Sequence, residues 1–179
     1  MGVLINYSTP ADVASRCVNV LGITEPNSIV ADFSAGRGAL LEAVFDAHSE
    51  LDLHYIAMEI DPKFEEALQA LEFINEVIIA DFLKEDTDGV DVINAILINP
   101  TSFRGADMQH VMKAYEFLAP KGRLVALTST DWVKGTLDEH GEFREWLDTV
   151  DAVSQRLPKN SIVVDKLELP TMMITIDKD

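Results

Sequence analysis

The chain has 179 residues, 47% of them hydrophobic, and its 14 Lys and Arg residues against 31 Asp and Glu residues give a formal net charge of −17. This length and hydrophobic content predict a single folded domain spanning residues 1–179 and exclude a disordered segment. The excess of acidic residues argues against nucleic-acid binding, because contacts with phosphate depend on Lys and Arg.

The sequence also argues against a membrane protein, a disulfide-stabilised protein and a metal-binding protein. No apolar run approaches the roughly 18 residues of a membrane span, and residues 1–7 lack the basic region of a secretory signal. We therefore expect a cytoplasmic protein with no membrane partner. Cys17 is the only cysteine, which excludes an intrachain disulfide, and we expect it to be a buried, unreactive thiol. The four histidines show no paired ligand spacing, so no metal is assigned.

Helix and strand signals alternate along the first half of the chain. Thr9 is a predicted helix N-cap, Pro10 a predicted first helical residue, and the helix should end near Gly22. Strands are predicted at residues 29–31, 54–60 and 76–80, with a helix to about His48 after the first and a helix capped by Asp61-Pro62 after the second.

The alternation continues in the second half. We predict a strand at residues 92–98, a helix at 107–118 stopped by residues 120–122, a strand at 123–129, a loop at 130–141, a helix at 142–150, and a hairpin of residues 161–164 with 172–176. This pattern predicts an α/β, Rossmann-like fold: a mostly parallel sheet with a C-terminal antiparallel hairpin and helices on both faces. Ligands bind such sheets at the carboxyl ends of the strands.

A glycine turn follows the first predicted strand. Its sequence, Asp32-Phe33-Ser34-Ala35-Gly36-Arg37-Gly38, leads directly into a predicted helix. Glycines in such a turn let the backbone approach a ligand, and the helix N-terminus presents its N–H groups to that ligand. A dinucleotide fingerprint requires Gly or Ala where Leu41 stands, so NAD is the weaker candidate and S-adenosyl-L-methionine the stronger one.

The ends of the next two strands carry matching polar residues. Glu59 follows Gly38 at close to the spacing of about 20 residues expected for an acid that binds a cofactor ribose. Asp81 can accept a hydrogen bond from an adenine amino group, and the ring of Phe82 can lie against the adenine. Taken singly, Asp61 also fits a helix cap and Phe82 a core aromatic. Their order at successive strand ends favours a cofactor site.

Taken together, these motifs resemble a known family. Thr9-Pro10, the glycine turn 32–38, the segments 58–62 and 80–83, and Ile98-Asn99-Pro100 are similar in order to motifs of class I S-adenosylmethionine-dependent methyltransferases, most of all the adenine-specific DNA methyltransferases. The resemblance implies that Thr9 and Pro10 seat the methionine end of the cofactor. It further implies a cofactor loop of Asp32, Ser34, Gly36 and Gly38, ribose contacts from Glu59, and adenine contacts from Asp81 and Phe82.

The fourth-strand motif departs from this family. The resemblance implies that the Asn99 side chain and the Pro100 carbonyl accept hydrogen bonds from a target amino group while an aromatic residue stacks on the flipped base. Thr101 and Ser102 occupy the positions of the second proline and the aromatic residue, and Phe103 comes one residue late. Either a loop adjustment brings Phe103 over the substrate, or the stacking platform is absent. Stacking is worth about 1 to 3 kcal/mol per base, so its loss lowers activity by one to two orders of magnitude.

Basic residues near the predicted strand ends offer partial support for DNA as a partner. Arg104 and Lys134 are placed to meet phosphate, although ordinary surface charge explains them equally well. No separate target-recognition domain is visible, so selectivity would come from loops 101–107 and 131–141. Trp132, in the second loop, either supplies the missing aromatic ring or covers the core.

Three hypotheses follow from these observations. The first is a methyltransferase acting on an amino nitrogen, foremost adenine in DNA. The second changes the substrate to an RNA base or a protein glutamine. The third is a methyltransferase-fold protein without catalysis, which binds the cofactor or uses its acidic surface to engage a protein that normally binds DNA.

Overall fold

The structure is a computed structural model that describes residues 8–86, 93–164 and 166–179, with Phe103 described by its backbone alone. The α-helices are α1 (Ala11–Leu21), α2 (Ala39–Ala47), α3 (Glu65–Gln69), α4 (Ala106–Phe117), α5 (Asp131–Lys134) and α6 (Asp138–Thr149). The strands are β1 (Ile29–Asp32), β2 (His54–Glu59), β3 (Glu76–Ile79), β4 (Ile93–Ile98), β5 (Leu118–Ser129), β6 (Val153–Arg156), β7 (Val163–Val164), β8 (Leu167–Glu168) and β9 (Thr171–Asp177). Short 3-10 helices lie at Pro62–Phe64, Phe82–Lys84 and Phe103–Gly105.

Seven strands form one sheet in the order β3-β2-β1-β4-β5-β9-β6. The pairs β3–β2, β2–β1, β1–β4 and β4–β5 are parallel, and β9 is antiparallel to both β5 and β6. The predicted fold class, a mostly parallel sheet ending in an antiparallel hairpin, is confirmed. Because β1 pairs with both β2 and β4, the strand order reverses beside it, and this reversal opens a crevice at the carboxyl edge.

Helices cover both faces of the sheet. Neighbouring residues of β1 point to opposite faces: Val30 packs in a core with α1, α2 and α3, and Ala31 packs in a core with α4 and α6. Cys17 of α1 is buried in the first core, and burial raises the pKa of its thiol to about 12. That thiol is therefore neutral, as expected for a structural cysteine.

The predicted partners of the C-terminal hairpin were wrong. Residues 161–164 do not pair with the last strand; Val163–Val164 pairs with Leu167–Glu168 in a separate two-stranded sheet. The partner of β9 is β6, Val153–Arg156. This strand lies at the sheet edge with all four residues exposed, so its sequence has no apolar alternation to mark it as a strand.

The loop predicted at residues 130–141 contains helix instead. Helix α5 occupies Asp131–Lys134, and α6 begins at Asp138, four residues before the predicted helix start. The loop was predicted because this stretch is polar and interrupted by glycines. Gly141 lies inside α6, where a Cβ would meet only the end of Arg144, so the glycine leaves the helix packing unaffected.

Two predicted boundaries also shift. Helix α4 ends at Phe117, before the predicted stop at residues 120–122, because Leu118 is extended and pairs with Ile93. Strand β5 therefore starts five residues before the predicted strand. At the first helix, Pro10 occupies the N-cap position and no side chain caps the helix. Thr9 is therefore not the N-cap. The predicted start of β4 at Val92 lies outside the described residues.

Candidate functional site

A cleft with a volume of about 370 Å³ opens at the carboxyl edge of the sheet, beside the reversal of strand order. A cleft of this size suits a small cofactor. It lies past the ends of β1, β2, β3 and β4, where the sequence predicted a site. Its lining residues are Ser8, Phe33, Ser34, Gly36, Arg37, Glu59, Ile60, Asp61, Phe64, Ala80, Asp81, Phe82, Leu83, Asn99, Pro100, Thr101, Ala106 and His110.

Seven of the predicted site residues line this cleft: Ser34, Gly36, Glu59, Asp81, Phe82, Asn99 and Pro100. Of the other predicted residues, Thr9, Pro10, Asp32 and Gly38 are not among the residues that line it. The side chain of Phe103 lies outside the described part of the chain.

The two glycines of the loop have different structural roles. Gly36 has φ +55°, and a Cβ there would meet nothing within 4 Å, so its backbone is open to a ligand in the cleft. Gly38 has φ +89°, and a Cβ there would lie 2.5 Å from Leu71 Cδ1. Both need the left-handed conformation that glycine adopts readily. Gly36 therefore leaves its backbone accessible from the cleft. Gly38 allows the start of α2 to pack against the residues after α3.

Glu59 holds the loop with both carboxylate oxygens. Oε2 accepts a hydrogen bond from the Gly36 amide at 2.8 Å, and Oε1 accepts one from the Asp61 amide at 3.0 Å. The residue is 8% exposed. Each carboxylate oxygen has a further acceptor site. Glu59 therefore braces the glycine loop against β2 and can also accept a hydrogen bond from a ligand.

Asp32 lies beneath the loop. It is 1% exposed, and Oδ1 accepts hydrogen bonds from the Ser34 amide at 2.9 Å and from Ser34 Oγ at 3.4 Å. Burial raises the pKa of Asp32 to about 7, against the lowering effect of the Ser34 amide, and the negative charge of Glu59 adds to the rise. Asp32 thus shapes the loop from below and is an ionisable group with a neutral-range pKa.

Asp81 and Phe82 close the end of the cleft nearest β3. Asp81 accepts hydrogen bonds from the Leu83 amide at 3.2 Å and from Lys84 Nζ at 2.9 Å, and the lysine holds the pKa of Asp81 below its usual range. Phe82 is 2% exposed, and its ring stacks on Phe33 with the centroids 4.2 Å apart. The Phe82 ring is therefore largely a core aromatic. The carboxylate of Asp81 is the main polar group at this end.

His110 is a cleft residue that the sequence did not reveal. Its Nδ1 lies 2.7 Å from the Ala106 carbonyl oxygen, which only accepts hydrogen bonds, so Nδ1 carries a proton. Burial lowers the pKa of His110. The imidazole is therefore neutral at pH 7, and Nε2 is its acceptor atom. The only sequence signal was its spacing one helical turn after Ala106, a residue without side-chain chemistry.

Ile60, Phe64 and Arg37 add apolar and cationic groups to the lining of the cleft. Ile60 follows Glu59 directly and is 58% exposed, which is unusual for isoleucine. Phe64 is buried beside it, with Lys63 Nζ 4.7 Å and the Arg37 guanidinium carbon 5.7 Å from its ring centroid. An apolar residue directly after the acidic end of a strand was the available signal for Ile60.

Asn99 stands in the same cleft as the glycine loop. Its amide N–H donates to Ser34 Oγ at 3.2 Å, and its side-chain Nδ2 donates to Thr9 Oγ1 at 2.9 Å. The predicted catalytic segment and the predicted cofactor loop are thus joined by a direct hydrogen bond. Thr9, which the sequence assigned to the cofactor, contacts Asn99.

No described aromatic side chain takes the predicted stacking position after Asn99-Pro100. Thr101 and Ser102 are exposed there. Trp132 is buried, its Nε1 donates to Thr128 Oγ1 at 3.0 Å, and its ring meets Phe143 edge-on. Trp132 therefore covers the core, and the alternative that it supplies the missing aromatic ring is wrong.

Charges at the rim of the cleft are largely paired. Asp61 forms an ion pair with Lys63, and Asp81 forms one with Lys84. Arg104 and Lys134 are both exposed, as a phosphate contact requires. The cleft therefore carries much less negative charge than the whole chain.

Within residues 8–86, 93–164 and 166–179, no group of three or more His, Cys, Asp or Glu residues is arranged to hold a metal ion. None of the described helices combines the length and apolar composition needed to cross a bilayer.

Comparison with known proteins places the fold. No family model matches the chain, and no curated protein matches it. Among solved structures, the methyltransferase subunit of a type I restriction-modification system from Streptococcus thermophilus is similar, with a TM-score of 0.80 and 18% identity over 97% of this chain and 44% of that one. The chain has the Rossmann-like methyltransferase fold.

Other structures with this fold carry different activities. A precorrin-6y C5,15-methyltransferase from Geobacter metallireducens has a TM-score of 0.65 and 16% identity over 100% of this chain and 92% of that one. An S-adenosylmethionine-dependent O-methyltransferase from Thermotoga maritima has a TM-score of 0.60 and 16% identity over 99% of this chain and 67% of that one. The chain spans 44% of the length of the Streptococcus protein, and proteins with this fold carry out different methyl transfers.

Proposed function

We propose that this protein binds S-adenosylmethionine in the cleft and transfers its methyl group to an amino nitrogen, foremost that of adenine in DNA. The observation that carries the proposal is the shared cleft, in which Asn99 and Pro100 stand beside the glycine loop and Asn99 is hydrogen-bonded to Ser34. A methyltransferase needs donor and acceptor sites to meet in this way. A cytoplasmic location belongs to the same proposal.

The cleft residues suit this cofactor. The open space at Gly36 gives a ligand access to the backbone of the loop, and Glu59 and Asp81 provide carboxylate acceptors at two strand ends. In our proposal Glu59 accepts from the ribose hydroxyls and Asp81 from the adenine amino group. When bound, S-adenosylmethionine supplies an electrophilic methyl group on a positively charged sulfur.

The acceptor side rests on Asn99 and Pro100. The Asn99 side chain and the Pro100 carbonyl would accept hydrogen bonds from the target amino group and so raise the electron density on its nitrogen. Holding the nitrogen in line with the methyl group removes most of the entropic cost of the encounter. Adenine in DNA is favoured by the motif order and by the restriction-modification relative in fold. The net charge of −17 favours a protein acceptor instead, because RNA carries the same phosphate charge as DNA.

A second candidate function is binding without catalysis. Thr101 and Ser102 stand exposed where the resemblance calls for a second proline and an aromatic ring, and Trp132 is committed to the core. In this alternative the cleft retains the cofactor while the acidic surface engages a protein that normally binds DNA.

Transfer of a labelled methyl group separates the candidates. Wild type and Asn99→Ala are incubated with labelled S-adenosylmethionine and duplex DNA, single-stranded DNA, RNA or cell-extract protein. We expect wild type to label one of these classes, foremost duplex DNA, and Asn99→Ala to label none while still binding the cofactor. Cofactor binding without transfer to any acceptor would reject the enzyme and leave the binding protein.

A further inference from the structure

Asn99 is held at two points by hydroxyl groups from distant parts of the chain. Ser34 of the glycine loop accepts from its main-chain N–H, and Thr9, which precedes α1, accepts from its side-chain Nδ2. Thr9 is 9% exposed, so its hydroxyl is largely shielded from water. A shielded hydroxyl needs protein partners, and Asn99 is one of them.

The structure places the Nδ2 end of the Asn99 carboxamide against Thr9, and the hydrogen bond holds the side chain in place. A carboxamide has an NH₂ donor at one end and a carbonyl acceptor at the other. With Nδ2 bound to Thr9, the carbonyl Oδ1 is the end directed away from Thr9. The reversed orientation would turn NH₂ hydrogens toward a target amino group, and two donors facing each other form no hydrogen bond.

We infer that Thr9 is a positioning residue for Asn99 and not a ligand of the cofactor. This inference rests on the proposed function, in which Asn99 Oδ1 accepts from the target amino group. Thr9 touches Asn99 and is not among the cleft-lining residues, whereas Asn99 is one of them. Its hydroxyl therefore acts on the acceptor side of the reaction, through Asn99, while Ser34 secures the Asn99 backbone.

Two substitutions at Thr9 test this role. Thr9→Val removes the hydroxyl at nearly constant volume, and Thr9→Ser keeps the hydroxyl while removing a methyl group. At saturating cofactor we expect Thr9→Val to lower kcat by about 10-fold to 100-fold, as misplacement of a reacting group does. The KM and Kd for S-adenosylmethionine should stay within about twofold of wild type, and Thr9→Ser should restore most of kcat.

A measurement without substrate or cofactor keeps this inference separate from the proposed function. The side-chain NH₂ signals of Asn99, assigned by their loss in Asn99→Asp, are recorded in amide ¹⁵N spectra of each variant. We expect Thr9→Val to shift these signals and Thr9→Ser to leave them near their wild-type positions.

The outcomes are distinct. Unmoved Asn99 signals in Thr9→Val would overturn the inference, and so would a loss of cofactor affinity at unchanged kcat, because Thr9 would then be a cofactor ligand. If wild type methylates no acceptor, the proposed function fails, and the Asn99 signals alone support or overturn the Thr9 contact.

Discussion

Glu59 illustrates how one side chain joins the fold to the site. Its two oxygens accept from Gly36 and Asp61, so the carboxylate fixes the loop that would contact the cofactor. The sequence indicated a ribose ligand at this position. It did not indicate the brace, because a hydrogen bond to a backbone amide on a separate loop leaves no sequence pattern.

Glu59→Gln should damage both functions of this residue. In the variant, the glutamine NH₂ group replaces one of the two oxygens that accept hydrogen bonds from the Gly36 and Asp61 amides. That hydrogen bond is lost, and two N–H donors then face each other. We expect the free energy of unfolding to fall by about 1 to 3 kcal/mol in urea titrations. Affinity for S-adenosylmethionine should fall at least about tenfold, which corresponds to about 1.4 kcal/mol.

The matched control for this variant is Glu66→Gln, an exposed position on α3. It makes the same chemical change outside the cleft and should leave both stability and affinity near wild type. Equal effects of the two substitutions would contradict the role assigned to Glu59.

Asp32 predicts a pH-dependent stability. Its pKa is about 7 in the folded protein and near 3.8 when unperturbed, so between these values the folded state retains a proton that the unfolded state has lost. The cost of the buried charge is therefore absent below about pH 4, grows as the pH rises, and is complete above about pH 7.

Asp32→Asn removes this dependence. We subtract the free energy of unfolding of wild type from that of the variant. This difference should rise between pH 4 and pH 8 by an amount on the order of 2 to 4 kcal/mol, because only wild type loses stability over that range. Denaturant titrations at four or five pH values measure it. A difference that stays constant over this range would show that Asp32 does not titrate there.

Hydrogen bonds between distant segments of the chain explain why the sequence did not predict the contacts of some single residues. The sequence of Thr9 and Pro10 predicted the start of a helix. In the structure Thr9 forms a hydrogen bond with Asn99, which lies 90 positions later in the chain. His110 had no partner within a recognisable spacing, and its place in the cleft follows from the packing of α4 on the sheet. The residues at strand ends and in the glycine turn were predictable, because their positions follow from the parallel sheet and from the turn after β1.

At the scale of elements, the strands and helices up to β4 follow from apolar periodicity and glycine placement. These elements are buried on the faces that the sequence pattern marks, as Val30 and Ala31 show. Strand β6 and helix α5 escaped prediction. The first is an exposed edge strand, and the second is a single helical turn anchored by Trp132.

The contact between the start of α2 and the end of α3 gives a prediction at this scale. Gly38→Ala brings a Cβ within 2.5 Å of Leu71 Cδ1, whereas Gly36→Ala meets open space, and both strain a positive φ. We expect Gly36→Ala to cost about 1 to 2 kcal/mol of stability from backbone strain alone. Gly38→Ala should cost about 1 to 3 kcal/mol more from overpacking.

Thermal and urea unfolding of the two variants check this ordering. Gly36→Ala is the control for the shared backbone term, because it changes the same residue type in the same loop. Equal stabilities for Gly36→Ala and Gly38→Ala would contradict the packing role of Gly38.

At the scale of the whole molecule, a strongly acidic surface surrounds a cleft whose rim charges are paired. Lys63 and Lys84 each neutralise an aspartate beside the opening, so the net charge of −17 belongs mainly to the rest of the surface. This distribution is compatible with a small cofactor in the cleft.

The most direct test of the account is calorimetric titration of the wild-type protein with S-adenosylmethionine. We predict one binding site per chain, with affinity lowered in Glu59→Gln and unchanged in Glu66→Gln. Absence of measurable binding to wild type, or equal binding by both variants, would contradict the assignment of the glycine loop and Glu59 to a cofactor site.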